Sequence, residues 1–174
     1  MKGRARVRLA WVLFAVWASW AAALQGELLR SGVLGRAVPD LSLVLLFLLL
    51  GRAPAQRLML AAFALACARA ALSADPWVAS ASGYLAIASA LGALRGAVDL
   101  DSPLLRSSLA LVAALGLAFW LRLAHGLRLE PRPAGYLLWS PALLSVAAST
   151  ALFSLMPAGP CLRALGLRAL EAKR

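Results

Sequence analysis

Long apolar stretches alternate with short polar breaks along the whole chain. The apolar stretches cover residues 8–26, 37–52, 57–74, 79–97, 104–123 and 136–157. The breaks between them are rich in Gly, Pro and Asp, which is typical of turns. A helix needs about 20 apolar residues to cross the hydrocarbon core of a bilayer. The pattern therefore predicts one domain over residues 1–174, built from six transmembrane helices.

Composition agrees with this all-α membrane fold. Hydrophobic residues make up 63% of the chain and charged residues 14%, whereas soluble domains have about 45–50% and 25% respectively. A soluble helical bundle needs a polar face on each helix. The segment Leu41–Leu50 has a single polar residue, Ser42, so the chain is predicted to be an integral membrane protein.

The N-terminal stretch has two interpretations. Four basic residues precede the apolar run Leu9–Leu24, namely Lys2, Arg4, Arg6 and Arg8. This order is also found in cleaved signal peptides. The run is longer than the usual signal-peptide core and five further apolar stretches follow it, which favours an uncleaved first helix.

The distribution of basic residues predicts an orientation. The net charge is +11, and the Lys and Arg residues lie at the ends of the apolar stretches rather than in a stripe suited to nucleic acid. With both termini in the cytoplasm, twelve of these residues fall on the inner side and five on the outer side, as the positive-inside rule expects. Trp20, Trp77, Trp120 and Trp139 then fall near the outer surface, where indole rings are favoured.

Small residues recur along the fourth stretch. Ser82, Ala86 and Ala90 follow a four-residue spacing, and Gly92 and Gly96 continue the series. In lipid, helices associate by close packing through such residues. The spacing predicts that the fourth helix is buried between neighbouring helices.

The second stretch begins with Pro39 and Asp40. Proline is favoured at a helix start because its missing N–H is not needed there. Asp40 would then lie in the first turn, where the helix dipole stabilises an anion. One interpretation of Asp40 is therefore a helix-start residue at the outer interface.

A second interpretation follows from depth. Asp40 and Arg69 each lie 11 residues from the predicted inner end of their helices, which places both about 16 Å above that end. Charges at such depth usually pair or face water. We therefore predict an Asp40–Arg69 ion pair. Two alternatives are that Arg36 pairs with Asp40, or that Arg69 reaches Asp75.

No catalytic or metal-binding motif is present in the sequence. His125 is the single histidine, Cys67 and Cys161 form no CxxC motif, and there is no GxSxG, HExxH or P-loop sequence. We expect no enzymatic activity, no metal and no cofactor. Asp99 and Asp101 lie near basic residues, and we interpret this segment, with Arg95 and Arg106 on either side, as a solvated loop with charge pairing.

Several short motifs resemble those of the rod shape-determining protein MreD family. They are Pro39-Asp40-Leu41, the turn Leu72-Ser73-Ala74-Asp75-Pro76, and Gly83-Tyr84-Leu85 followed by Leu94-Arg95-Gly96. The resemblance covers about residues 33–98. The chain departs from the family at Ala70, which holds the place of an aspartate that the family commonly carries, and Arg69 is adjacent.

The resemblance implies a non-enzymatic scaffold of the bacterial cell-shape and peptidoglycan elongation machinery, in the inner membrane. Its expected partners are membrane lipid, an MreC-like bitopic protein, RodA and a class B penicillin-binding protein, with no nucleic acid. The implied fold is similar to that of the substrate-binding subunit of energy-coupling-factor transporters.

The alternative prediction is a solute-binding or transport subunit, which requires a cavity with converging polar groups. The candidate lining residues in the outer half are Asp40, Arg69, Ser73, Ser80, Ser82 and Tyr84.

Overall fold

The computed structural model describes residues 2–32, 38–50, 52–72, 76–95, 102–126 and 141–171. Within these ranges the chain forms helices and no strands. The α-helices are α1 (Lys2–Ser31), α2 (Leu41–Leu50), α3 (Ala55–Leu72), α4 (Trp77–Leu94), α5 (Pro103–Gly126), α6 (Pro141–Ser154) and α7 (Ala158–Ala164). A short 3-10 helix follows at Arg168–Leu170.

The predicted all-α membrane protein is confirmed at this coarse level. Four helices, α1, α3, α4 and α5, are long and apolar enough to cross a bilayer. A fifth span results if α6 and α7, which meet at an angle of 85°, are taken together. The count of six spans and the similarity to a transporter subunit remain predictions.

The second predicted span is wrong in its extent. The helix covers Leu41–Leu50 instead of 37–52, and ten residues measure about 15 Å, half of the hydrocarbon core. All of its residues except Leu41 are buried, because α1, α3, α5, α6 and α7 surround it. The continuous apolar run therefore belongs to a central buried helix and not to one that faces lipid.

The longer helices surround α2 and expose apolar side chains outward. α3 packs mainly on α4 and α1, and α5 packs mainly on α6. Trp20, Val78, Val112 and Leu152 are each about two thirds exposed. Such apolar surface on four different helices suits a lipid environment and would be unusual on a protein in water.

The C-terminal segment folds back beneath α2. Gly166 has a φ of 71°, a backbone conformation that favours glycine, and a Cβ atom there would lie 2.9 Å from Leu13 Cδ1 of α1. The Trp17 indole N–H of α1 donates to the Leu165 carbonyl at 3.1 Å. Leu162 and Leu170 are fully buried, and the segment thereby closes the bundle at the end where α2 finishes.

Arginines at this end of the bundle donate to the last carbonyl oxygens of two helices. Arg95 donates to the Leu50 carbonyl at the end of α2. Arg106 donates through Nε to the Ser154 carbonyl at 2.7 Å and through Nη2 to the Met156 carbonyl. The last carbonyls of a helix lack partners within it, and leaving them unpaired in lipid costs several kcal/mol. These basic residues therefore serve as C-terminal caps.

Arg106 is only 4% exposed. It lies in the first turn of α5, within the predicted span 104–123, and donates to carbonyl oxygens at and after the end of α6. The prediction of a solvated loop concerned Asp99 and Asp101. Asp99 and Asp101 lie outside the described residues.

A similar cap fixes the 3-10 helix. Arg57 Nη1 lies 3.0–3.1 Å from the carbonyl oxygens of Ala169, Leu170 and Glu171. Arg52 forms an ion pair with Glu171 at 3.4 Å. Arg52, in the turn after α2, and Arg57, at the start of α3, thus hold the C-terminal segment in place.

Ser82, Ala86 and Ala90 are exposed, although Ser82 and Ala86 line a cavity that α4 shares with α5, and their predicted packing role stays a prediction. The most buried face of α4 carries Tyr84 and Ala88. Both faces of α4 are rich in small residues, so spacing alone does not distinguish the inner face from the outer. Gly92 is partly buried with open space at its Cβ position, and Gly96 lies outside the described residues.

Candidate functional site

Asp40 is the N-cap of α2. Its Oδ1 atom accepts a hydrogen bond from the Leu43 backbone N–H at 3.0 Å, and its carbonyl accepts from the Val44 N–H at 3.0 Å. This is the bonding pattern of an aspartate that precedes the first turn. The contacts agree with the helix-start part of that interpretation, with Asp40 one position before the first turn instead of within it. Its predicted place at the outer interface stays a prediction.

The Asp40–Arg69 ion pair that depth predicted is present as well. Arg69 Nη1 donates to Asp40 Oδ2 at 2.5 Å, and the two side chains are 19% and 7% exposed. One carboxylate oxygen thus caps α2 and the other binds α3. Pairing matters because an isolated charge is very costly to bury. The alternative partners Arg36 and Asp75 lie outside the described residues.

Tyr84 and Thr150 complete the surroundings of Asp40. The Tyr84 hydroxyl donates to Asp40 Oδ1 at 3.3 Å and accepts from Arg69 Nη1 at 3.4 Å. The Asp40 backbone N–H donates to Thr150 Oγ1 at 2.9 Å. Tyr84 and Thr150 are fully buried. These four residues, here named the Asp40 network, join α2, α3, α4 and α6.

The Asp40 network lies deep in the bundle. Asp40 precedes Leu50 by ten residues, or about 15 Å, which is half the thickness of the hydrocarbon core. Ionisable residues at such depth are expensive and usually mark a functional site or a buried pair. The network is consequently the most informative polar feature of the described residues.

A cavity of about 200 Å³ opens beside the Asp40 network. Its polar lining consists of Gln25 from α1, Asp40, Arg69 from α3 and Arg122 from α5. The rest of its wall is apolar and is formed by Leu29, Val38, Ala114, Leu117, Ala118, Leu121 and Val146. We refer to it as the charged cavity.

The candidate lining residues do not all meet at the charged cavity. Asp40 and Arg69 line it, while Tyr84 belongs to the Asp40 network. Ser80 is fully buried and is not among the lining residues, and Ser82 lines a different cavity. Ser73 lies outside the described residues.

Sequence reasoning missed Gln25 and Arg122 as cavity residues. Both lie near the C-terminal ends of long helices, α1 and α5, and polar side chains are common near the ends of membrane helices. The sequence signal for Arg122 was its position after Trp120 and Leu121 at the end of the apolar run 104–123. Their convergence depends on the rotational orientation of α1 and α5 about their helix axes, which the sequence does not give.

A second cavity of about 370 Å³ lies between α4 and α5 and opens to the outside. It is lined by Ser82, Gly83, Ala86, Ile87, Gly116, Leu117 and Trp120, and we name it the α4–α5 groove. The Trp120 indole N–H donates to the Ala79 carbonyl at 3.0 Å and to Ser82 Oγ at 3.1 Å. A Cβ atom at Gly83 would lie 2.6 Å from Leu117 Cδ1, so Gly83 permits the close approach of the two helices.

Comparison of this chain with protein-family models, with curated proteins and with solved structures gives no match. The resemblance to the MreD family therefore remains a prediction. Among the residues that the structure describes, no three His, Cys, Asp or Glu side chains are grouped to hold a metal ion.

Proposed function

We propose that this protein is a non-enzymatic scaffold of the bacterial inner membrane, with both termini in the cytoplasm, that binds the transmembrane helix of a bitopic partner. The observation that carries the proposal is the exposed stripe of Ser82, Ala86 and Ala90 along the α4–α5 groove. By its resemblance to the MreD family, the expected partner is an MreC-like protein of the peptidoglycan elongation machinery, with RodA and a class B penicillin-binding protein in the same assembly.

The stripe has the dimensions of a helix-docking surface. Ser82 and Ala90 are eight residues apart, which corresponds to about 12 Å along α4. Small side chains at this spacing let two helix backbones approach in lipid, where packing drives association. The groove next to the stripe adds apolar space for larger side chains of the partner.

The buried face of α4 supports the same proposal. Tyr84 belongs to the Asp40 network on one side of α4, while Ala86 lies on the exposed side. The hydrogen bonds of Tyr84 to Asp40 and Arg69 hold α4 in a fixed rotation. The stripe is therefore presented in one orientation, which lowers the entropic cost of binding.

Site-directed cross-linking tests the proposed surface. In a background with Cys67→Ala and Cys161→Ala, the variant Ala86→Cys is co-expressed with an MreC-like protein that carries single cysteines along its transmembrane helix. We expect Ala86→Cys to cross-link to those partner cysteines that lie on one face of the partner helix, so that cross-linking recurs with the helical period along it. The control is Val16→Cys, an exposed position on α1, which is not among the principal neighbours of α4.

Two results would contradict the scaffold proposal. One is equal cross-linking at Ala86→Cys and Val16→Cys, and the other is no cross-linking at Ala86→Cys while the protein is folded. Deletion of the gene supplies an independent test, because a rod-shaped cell should become round.

A second candidate function is a solute-binding or transport subunit. The charged cavity favours it, since polar groups from four helices converge in a partly apolar space. The N-terminus of the short helix α2 also lies at this cavity, and short helices that end near the bilayer centre commonly border transporter binding sites.

A further inference from the structure

Four exposed arginines lie at the end of the bundle where α2 finishes. Arg6 and Arg8 belong to the first part of α1, Arg163 to α7 and Arg168 to the 3-10 helix. Arg6, Arg8 and Arg168 form no hydrogen bond or ion pair within the described part of the chain. Arg163 donates only to the Gly159 carbonyl of its own helix, at 3.4 Å. These four residues therefore differ from the arginines that cap helices at this end, because the packing of the bundle does not use them.

Contacts between α1 and the C-terminal segment bring the arginines of both to the same end. Leu13 of α1 lies against Gly166, and the Trp17 indole N–H donates to the Leu165 carbonyl. The 3-10 helix also packs on α1. Arg8 is five residues before Leu13, which corresponds to about 8 Å along the helix. We name the surface formed by the four arginines the basic end.

α7 lies across this end of the bundle. Its axis makes an angle of 85° with that of α6, so with α6 taken as part of a membrane span, α7 lies close to the membrane plane. Ala158, Gly159 and Leu162 are buried on the side that packs on α2, while Arg163 is exposed. A helix with one face packed and a basic residue on the other is suited to the membrane surface.

Large apolar side chains are exposed beside the arginines. Leu9 and Val12, which follow Arg8 in α1, are 61% and 60% exposed, and Met156 at the bend before α7 is 42% exposed. This mixture suits the boundary between headgroups and hydrocarbon, where a guanidinium reaches the headgroups and apolar side chains stay in lipid. A polyanion in water, such as a nucleic acid, would leave these apolar side chains hydrated. The mixture therefore favours a lipid surface.

The charge of the basic end favours anionic headgroups. Among the described residues, Glu171 is the one acid at this end, and it is paired with Arg52 at 3.4 Å. The predicted orientation assigns twelve basic and three acidic residues to the same side of the membrane. Each basic residue close to an anionic membrane surface strengthens the attraction by about fivefold. Four exposed arginines are therefore able to discriminate anionic from zwitterionic lipid.

We propose that the basic end binds the headgroups of anionic phospholipids in the leaflet that it faces. The guanidinium N–H groups donate to the phosphate oxygens, an interaction that arginine makes in a bidentate manner. The contacts of Arg52 and Arg57 with the C-terminal segment hold Arg163 and Arg168 in position for this role. The inference goes beyond the scaffold function and is independent of the proposed partner surface on α4.

Native mass spectrometry of the delipidated full chain in detergent micelles tests the inference. Dioleoylphosphatidylglycerol, which is anionic, and dioleoylphosphatidylcholine, which is zwitterionic, are titrated separately, and the two lipids have the same acyl chains. We expect the wild type to bind the anionic lipid at least about tenfold more tightly. Combining Arg6→Gln, Arg8→Gln, Arg163→Gln and Arg168→Gln should remove this preference, whereas lysine at the same four positions should keep most of it.

Two single variants keep the test decisive if the fourfold Gln variant does not fold. Arg168→Gln removes one charge from the basic end and should weaken binding of the anionic lipid by about fivefold. Arg30→Gln is the matched control, because it removes one charge from a side chain that is 81% exposed near the opposite end of α1. It should bind the anionic lipid as the wild type does. Size-exclusion chromatography establishes that each variant is folded.

Three results would overturn the inference. The first is equal affinity of the folded wild type for the two lipids. The second is equal weakening by Arg168→Gln and Arg30→Gln, which would assign the preference to net charge instead of the basic end. The third is displacement of the anionic lipid by inorganic phosphate, which would indicate a site for the free anion. The cross-linking of Ala86→Cys does not involve these arginines, so the scaffold proposal is tested separately.

Discussion

Asp40 Oδ2 and Arg69 Nη1 lie 2.5 Å apart at the buried N-terminus of α2. The same aspartate caps α2 through Oδ1. Removal of either charge therefore breaks a largely buried ion pair. The protein is expected to depend on this pair for stability whichever function it performs.

A double-mutant cycle measures that dependence. Asp40→Asn and Arg69→Gln should each lower the free energy of unfolding by about 3–5 kcal/mol, because breaking a buried pair strands one charge. The double variant should lose less free energy of unfolding than the two single variants lose together, which corresponds to a coupling energy of at least about 1 kcal/mol. Unfolding in mixed micelles by sodium dodecyl sulfate provides the measurement. Strictly additive losses would show that the two charges do not interact.

The hydroxyl of Tyr84 should also contribute. Tyr84→Phe removes the donor to Asp40 Oδ1 and should destabilise the protein by about 1–2 kcal/mol, as expected for a hydrogen bond to a charged group. The loss is read from the same unfolding assay. Ser19→Ala is the control, since its hydroxyl bonds to its own helix at an exposed position, and it should change stability by less than about 0.5 kcal/mol. Equal effects of the two variants would contradict a role for Tyr84 in the network.

Two glycines of α4 should respond in opposite ways to a methyl group. A Cβ atom at Gly83 would lie 2.6 Å from Leu117 Cδ1 and 3.1 Å from Trp120 Cδ1, whereas Gly92 has no heavy atom within 4 Å of that position. Gly83→Ala should therefore be less stable than Gly92→Ala by about 1–2 kcal/mol. Gly92→Ala should equal or exceed the wild type, since alanine favours helix. Thermal unfolding of the two variants checks the order, and equal midpoints would exclude close packing at Gly83.

Arg106 should be required as a helix cap. Arg106→Gln removes donors to the Ser154 and Met156 carbonyls and should lower stability by about 2–3 kcal/mol, the upper range for a charged hydrogen bond. Arg106→Lys should recover little of the lost stability, because an ammonium group lacks the planar fork that reaches both carbonyl oxygens. Arg163→Gln, at an exposed position, is the matched control in the unfolding assay. A full recovery by lysine would show that charge alone matters there.

The candidate site was predictable only in part. The Asp40–Arg69 pair followed from the sequence because the rise per residue fixes the height of a side chain on a helix. Tyr84 was among the candidate lining residues, but its hydrogen bond to Asp40 depends on the rotation of α4. Thr150, Gln25 and Arg122 were not predicted, because their approach depends on the placement and rotation of α6, α1 and α5.

The exposed stripe of α4 illustrates a further limit. Ser82, Ala86 and Ala90 show the spacing of a packed helix face, yet the most buried face of α4 is the one that carries Tyr84 and Ala88. Small residues permit close approach but do not attract. Their spacing alone therefore does not identify the buried face.

By itself the sequence determined that this protein is a helical membrane protein, because apolar runs of bilayer length separated by turns have few other stable folds. Helix geometry also predicted that Asp40 and Arg69 lie at a similar height on neighbouring helices, and the two side chains do meet. Only the tertiary structure decided that Leu41–Leu50 is a half-length buried helix, since apolar side chains suit lipid and a protein interior equally well. The tertiary structure likewise placed arginines at helix ends, where unpaired carbonyls in a low-dielectric surrounding require donors.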